Sequence, residues 1–295
     1  MDRRTFLGAL AAAALAPKAS ATAMRRVPST RESIPAIGMG TWITFDVGTD
    51  PAARAQRVDV LRTFFELGGR LVDSSPMYGS APDVIGHALG QLDGGALLSA
   101  SKVWIPGRDR GIDQMNHQLG RWGIERFDLV QVHNMVDWRT HLATLVAMKA
   151  AGQLKYTGIT TSHGRRHDAL AEVIRTQPFD FVQFTYSLAN RQAERRLLPL
   201  ALDQGKAVII NRPFEGGGLF RRVGDRPLPP IAADLGCATW AAFFLKFVIS
   251  HPAVTCAIPA TSRVDHMREN MAALTGPMPD APARKEMIRA FEATR

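Results

Sequence analysis

RLVDSSPMYGSAPDVIGHAL, residues 70–89, opens on a short apolar run, Arg70–Ser74, with the length of a buried strand and an acid, Asp73, near its end. A turn at Ser75–Pro76 follows, then Tyr78 and Gly79, then an apolar-periodic helix starting near Pro82 and Asp83. A carboxylate and a phenol therefore sit five positions apart, where a strand hands over to a helix. Two further apolar runs end the same way. LLSASKVW carries Lys102 and FDLVQVHN carries His133 near their carboxyl ends. Four titratable groups at the ends of successive strands point to one shared site.

Outward from this stretch, strand-like and helix-like patterns alternate. Ile34–Trp42 reads as a strand interrupted by Gly38 and Gly40, and Ala52–Leu67 as a helix closed by Gly68-Gly69. Strands are predicted at Ala96–Val103, Phe127–His133, Tyr156–Thr161, Phe181–Tyr186, Ala207–Asn211 and Thr255–Pro259. Helices are predicted at 112–122, 140–151, 165–175, 192–204, 231–249, 264–274 and 282–293, with a Gly/Pro-rich loop over 213–230. Strands alternating with helices imply βαβ units and a parallel sheet. Eight strands counted from Met39, each followed by a helix, predict an α/β fold of the closed (β/α)8 TIM-barrel kind, in a single domain over residues 24–295. An open doubly wound sheet would bring a GxGxxG fingerprint after its first strand, and IGMGTWITF lacks that spacing. A barrel puts its functional groups on the loops after the strands, where Asp73, Tyr78, Lys102 and His133 fall.

The first residues read as an address. MDRRTFLGALAAAALAPKASATA has paired arginines, Arg3 and Arg4, then an apolar run through Ala16 and small residues in A-x-A patterns at 19–21 and 21–23. The run is too short to anchor the chain in a bilayer. It resembles a twin-arginine export signal over residues 1–23, which implies passage of the folded chain through the twin-arginine machinery to the periplasm. A protein that must carry a cytoplasmic cofactor has reason to fold before export. The 295 residues are 46% hydrophobic and 21% charged, as expected of a globular protein with a sizeable core. The net charge of +9 is spread without a tract of five basic residues, and the chain has only three tyrosines for stacking, so a nucleic-acid partner is not expected. Cys237 and Cys256 could pair in an oxidising compartment but read rather as two buried thiols, and no CxxC or clustered His/Cys spacing suggests a metal site.

The four groups suggest a chemistry. A free phenol titrates near 10, and an ammonium beside it favours phenolate, making proton donation easier. Lys102 suits that part, with Asp73 holding it charged and in place. His133 is suited to hydrogen-bond a carbonyl oxygen, and with the tyrosine to stabilise negative charge developing there. A positioned general acid is worth roughly 10²–10⁴ in rate.

On these segments, VDSSPMYG, SKVW and VQVHN, the chain resembles the aldo-keto reductases over most of its length, from Gly38 to about Asn270. The resemblance implies a catalytic tetrad of Asp73, Tyr78, Lys102 and His133. It further implies interconversion of aldehydes or ketones with alcohols by hydride transfer from NADP(H). It assigns Gly40, Thr41, Trp42 and Asp73 to the cofactor's surroundings, and Gln183 to its carboxamide. Arg263 is assigned to the 2′-phosphate, and Glu269 and Asn270 to the adenine. The chain departs from the family pattern in three places. Thr160 and Thr161 stand where Ser-Asn is common. Asn211, followed by Arg212 and Pro213, stands where an aromatic ring often stacks on the nicotinamide. Ala260 replaces a frequent lysine. The expected partner is a small carbonyl or alcohol, and the expected state a monomer. An alternative class keeps the barrel and nucleotide but acts as a redox-sensing or regulatory subunit with little turnover.

Overall fold

The computed structural model describes residues 22–93 and 97–294, so the export-signal reading falls almost wholly outside the described residues. The chain begins with a hairpin of β1 (Met24–Arg26) and β2 (Ser33–Pro35), paired antiparallel from Met24 opposite Pro35 to Arg26 opposite Ser33. Next come β3 (Met39–Gly40), α1 (Pro51–Glu66), β4 (Leu71–Asp73), α2 (Ala81–Leu89), β5 (Leu98–Val103), α3 (Arg108–Trp122), β6 (Leu129–Val132) and α4 (Trp138–Ala150). The second half runs β7 (Tyr156–Thr160), α5 (His167–Thr176), β8 (Phe181–Thr185), α6 (Leu197–Asp203), β9 (Ala207–Asn211), α7 (Gly218–Val223), α8 (Ile231–Asp234), α9 (Trp240–Ile249), β10 (Cys256–Ala257), α10 (Val264–Ala272) and α11 (Ala281–Glu292). Strands β3 to β10 form one sheet in sequence order, each paired parallel to the next. Parallel bridges from Ile37 to Ala257 and from Gly40 to Ala260 close it. The architecture is the expected (β/α)8 barrel.

Local chemistry explains the element boundaries. Asp50 Oδ1 accepts the Ala53 amide at 2.8 Å with Pro51 in the first turn of α1, and Asp280 does the same for Ala283 at 2.9 Å in α11. Such caps contribute about 1 kcal/mol each. The sequence predicts one strand over Ile34–Trp42, but the structure divides it. Ser33–Pro35 turns back to pair with Met24–Arg26, and Met39–Gly40 alone enters the barrel. Glycine is required there: a Cβ on Gly38 would sit 2.8 Å from the Leu71 carbonyl oxygen, and one on Gly40 2.8 Å from that of Ile258. The helix predicted over 231–249 is likewise two helices. Gly236, at φ +63°, ends the first, and the Thr239 hydroxyl caps the second by accepting the Ala242 amide at 3.2 Å.

Alternation along the strands sorts the two faces. Val72, Val130, Val132, Ile159, Val182 and Val208 face the helices in one core. Leu71, Leu98, Leu129, Tyr156, Phe181 and Ala207 form a second core, which also takes Val27 and Ile34 from the hairpin side. The hairpin therefore seals the amino end of the cylinder. It is pinned by Glu32, which accepts from the Tyr156 hydroxyl at 2.6 Å and pairs with Arg70 and Lys155. Higher on the inner face the residues turn polar: Asp73, Lys102, Gln131, Gln183 and Thr160 are all buried. That change of polarity along the cylinder is what creates a site.

Candidate active site

Asp73 ends β4 and receives three donors. Lys102 Nζ lies 2.5 Å from Oδ2, while Gln131 Nε2 and Gln183 Nε2 reach Oδ1 at 3.1 and 3.0 Å. Lys102 also donates to the Ser74 carbonyl at 2.7 Å. Both members of the ion pair are buried, with side-chain exposures of 0% and 2%. A buried pair of this sort costs much desolvation, and its full set of hydrogen bonds is what makes it tolerable. The ammonium sits 5.3 Å from the centre of the Tyr78 ring, and that ring meets His133 edge-on at 6.0 Å. The structure thus brings Asp73, Tyr78, Lys102 and His133 together at the carboxyl end of the barrel.

The electrostatics differ from the sequence argument in one respect. The expectation was a phenol made more acidic by Lys102. Instead burial, and then the Asp73 carboxylate, raise the Tyr78 pKa above its usual value. The reason is that Asp73 neutralises the ammonium, so the phenol faces a compensated pair in a place poor in water. Burial lowers the Lys102 pKa, opposed by Asp73. Burial, and then Lys102, push His133 down to about 3. At neutral pH the site therefore holds a protonated phenol and a neutral imidazole, with the ammonium and carboxylate locked on each other. Such a set can give a proton to an oxygen that is gaining charge.

Tyr78, His133 and Asp73 line a cavity of about 370 Å³. Gly40, Thr41, Trp42, Thr160, Thr161, Gln183, Asn211, Arg212 and Pro213 line it too, and Lys102 lies beneath. Thr41 donates to the Asp73 carbonyl at 3.0 Å. Asn211 is held by both ends of its amide: Nδ2 donates to the Thr161 carbonyl at 2.8 Å, and Oδ1 accepts from the Thr185 hydroxyl at 2.6 Å. Arg212 reaches across the mouth to within 6.0 Å of the Trp42 ring. The expected phosphate and adenine residues stand apart from this cavity. Arg263 is exposed and bound through Nε and Nη2 to Asp265, while Glu269 is half-buried and Asn270 buried along α10. They follow directly on Ile258–Ala260, which do line the cavity.

The site suits a nicotinamide nucleotide. The Thr161 hydroxyl is buried with no hydrogen-bond partner and lies on the cavity wall beside Thr160 and Gln183, so the wall carries unmet hydrogen-bonding capacity where an amide would fit. Sequence reasoning passed over Ser75, Gln131 and His163. Ser75 Oγ is 2.7 Å from His133 Nδ1, Gln131 holds Asp73, and His163 lines the cavity. Gln131 had a legible signal, a polar residue inside an apolar strand at the same parity as His133. The mouth also stores strain. Ile43, Asn134, Met135, Asp137, His163, Arg166, Arg212 and Glu215 all have positive φ, and all lie on loops that follow barrel strands.

Comparison with known proteins agrees with this geometry. The model described as "Aldo/keto reductase family" matches residues 36–285. Methylglyoxal reductase YeaE of Escherichia coli is 30% identical over 253 residues, which cover 82% of this chain and 86% of that protein. The NADH-specific methylglyoxal reductase of the same organism is 23% identical over 332 aligned positions, covering 91% and 100% of the two chains. Among solved structures, an aldo-keto reductase from Klebsiella pneumoniae in complex with NADPH superposes with a TM-score of 0.76 at 23% identity, over 92% of this chain and 95% of that one. With barrel, buried ion pair, phenol and imidazole assembled as described, and a family match spanning most of its length, this chain is an oxidoreductase belonging to the aldo/keto reductase family.

Proposed function

We propose that the protein reduces small aldehydes and ketones, and oxidises the corresponding alcohols, using NADP(H), with dicarbonyls such as methylglyoxal as the first substrates to examine. The observation that carries this reading is the buried Asp73–Lys102 pair beneath Tyr78, with His133 on the same cavity wall. When bound, the nicotinamide supplies the hydride. Thr160, Thr161 and Gln183 would hold its carboxamide, and Arg263 is the candidate for its 2′-phosphate. Tyr78 keeps its proton until the carbonyl oxygen gains charge and then donates it. His133 orients that oxygen, and Asp73 with Lys102 fixes the field around the phenol. Trp42 and Phe214 on the cavity wall help exclude water. Tyr78→Phe is expected to lower carbonyl-dependent NADPH oxidation at least ~100-fold while nucleotide still binds, measured by absorbance and fluorescence titration. Retained turnover would reject the acid role.

We also propose that the chain is exported folded through the twin-arginine route to the periplasm and acts there as a monomer. Arg3, Arg4 and the apolar run behind them support export. The position of Ala23 supports a cut after Ala21. Its amide donates to the Leu274 carbonyl at 2.8 Å and its carbonyl accepts from Ala36 at 2.9 Å, so a folded substrate offers no free strand at the Ala23–Met24 bond. Intact mass of the periplasmic protein should give Thr22 as its first residue. A full-length chain confined to the cytoplasm would end the export reading.

A further inference from the structure

We propose that Ser75 is a positioning residue whose hydroxyl fixes His133 as the Nε2–H tautomer, so that the ring offers the substrate oxygen a donor rather than a lone pair. The inference rests on the carbonyl reductase reading above. Ser75 is fully buried in the turn after β4, and its Oγ lies 2.7 Å from His133 Nδ1. Two arrangements satisfy that distance. Either serine donates its proton to a bare Nδ1, or a protonated Nδ1 donates to serine.

The surroundings choose between them. Among the described residues, Ser75 Oγ has no other hydrogen-bond partner. If Nδ1–H were the donor, the serine proton would be buried without an acceptor and would bear the full desolvation penalty of an unmade hydrogen bond. If serine donates, only spare lone pairs go unused, which is far cheaper. The ring is neutral, since burial and Lys102 both oppose its protonation. With Nδ1 bare, its single proton must sit on Nε2. Nδ1 is committed to the wall of the β4–α2 turn, so Nε2 is the nitrogen left for the cavity that His133 and Tyr78 line together. A donor there strengthens its hold as the oxygen becomes an alkoxide, whereas a lone pair would repel it at every stage. The serine thus acts on the reaction through the histidine, without touching substrate.

The tautomer is read directly from the side-chain nitrogen resonances of His133 in protein labelled with ¹⁵N-histidine, assigned with His133→Gln. In the nucleotide-free wild type, Nδ1 should resonate as a bare, hydrogen-bonded nitrogen and Nε2 as a protonated one. In Ser75→Ala the two should become mixed or exchange roles. The same variant should lose about tenfold in kcat for an aldehyde at unchanged nucleotide affinity, and Ser75→Thr should regain most of it. A wild-type ring protonated on Nδ1 overturns the proposal, as does Ser75→Ala that keeps both the tautomer and kcat within twofold. The resonance measurement needs no turnover, so it stands apart from any failure of the carbonyl reductase reading, which Tyr78→Phe tests. If Ser75→Ala does not fold, the wild-type tautomer alone decides.

Discussion

At the scale of single residues, the site is organised by one carboxylate. Asp73 receives Lys102, Gln131 and Gln183, and each partner comes from a different strand. Removing the ammonium would strand a buried negative charge. Lys102→Met is therefore expected to destabilise the fold by about 3–5 kcal/mol, read as a lowered denaturant midpoint, as well as abolish turnover. The double change Asp73→Leu with Lys102→Met should recover much of the stability and none of the activity, because it removes both charges together. Asp73, Lys102 and His133 were legible in the sequence because each lies near the end of an apolar run of strand length, and Tyr78 because it stands in the turn between such a run and a helix. Ser75 was not. A serine beside a proline reads as a turn, and nothing in spacing shows that its hydroxyl meets a histidine 58 residues later. The effect of burial on Tyr78 was also out of reach, since burial and the Asp73 carboxylate both raise its pKa and only the packed structure shows how closely they enclose the phenol.

At the scale of elements, the order of strands and helices followed their periodicities, while the connections did not, nor did the segments 34–42, 192–204 and 231–249, each of which the structure divides in two. The loop over residues 213–230 contains the one-turn helix α7, which is tied to the far end of the chain: Arg222 lies 3.9 Å from the Phe291 ring centre and donates to the Phe291 carbonyl at 2.8 Å. Such a tie joins residues far apart in sequence and leaves no local pattern. The loop after β10 holds a second arrangement that sequence does not show, the two-pronged contact between Arg263 and Asp265. A phosphate at Arg263 must compete with this carboxylate for the same guanidinium fork. Asp265→Asn should therefore tighten NADPH binding several-fold and leave NADH nearly unchanged. Arg263→Ala should weaken NADPH about tenfold. Quenching of tryptophan fluorescence on nucleotide titration checks both, with Trp42 on the cavity wall as a reporter.

At the scale of the whole molecule, the barrel was readable from stoichiometry, but its floor was not. MRRVPSTRESIP carries Arg, Ser, Thr and two prolines and gives no strand signal before Ile34, yet Val27 and Ile34 are fully buried under the cylinder. The depressed His133 gives the molecule an acid-side weakness. Its folded pKa of about 3 lies below the ordinary 6.5 of the unfolded chain, so the contribution is complete above pH 6.5 and is lost as pH falls towards 3. By pH 4.5 that loss is about 2–3 kcal/mol. Denaturant unfolding at pH 7 and 4.5 should show it, and His133→Gln should make the difference smaller. The left-handed loop residues carry a different consequence. Ile43 is a branched residue at φ +64°, 64% exposed on the cavity rim, a posture that costs of order 1–3 kcal/mol. A search for heat-resistant variants would find its cheapest gains in glycines at Ile43 and its counterparts. Each gain would soften the doorway that decides which molecules enter, so hardiness and discernment would be exchanged at the same few addresses.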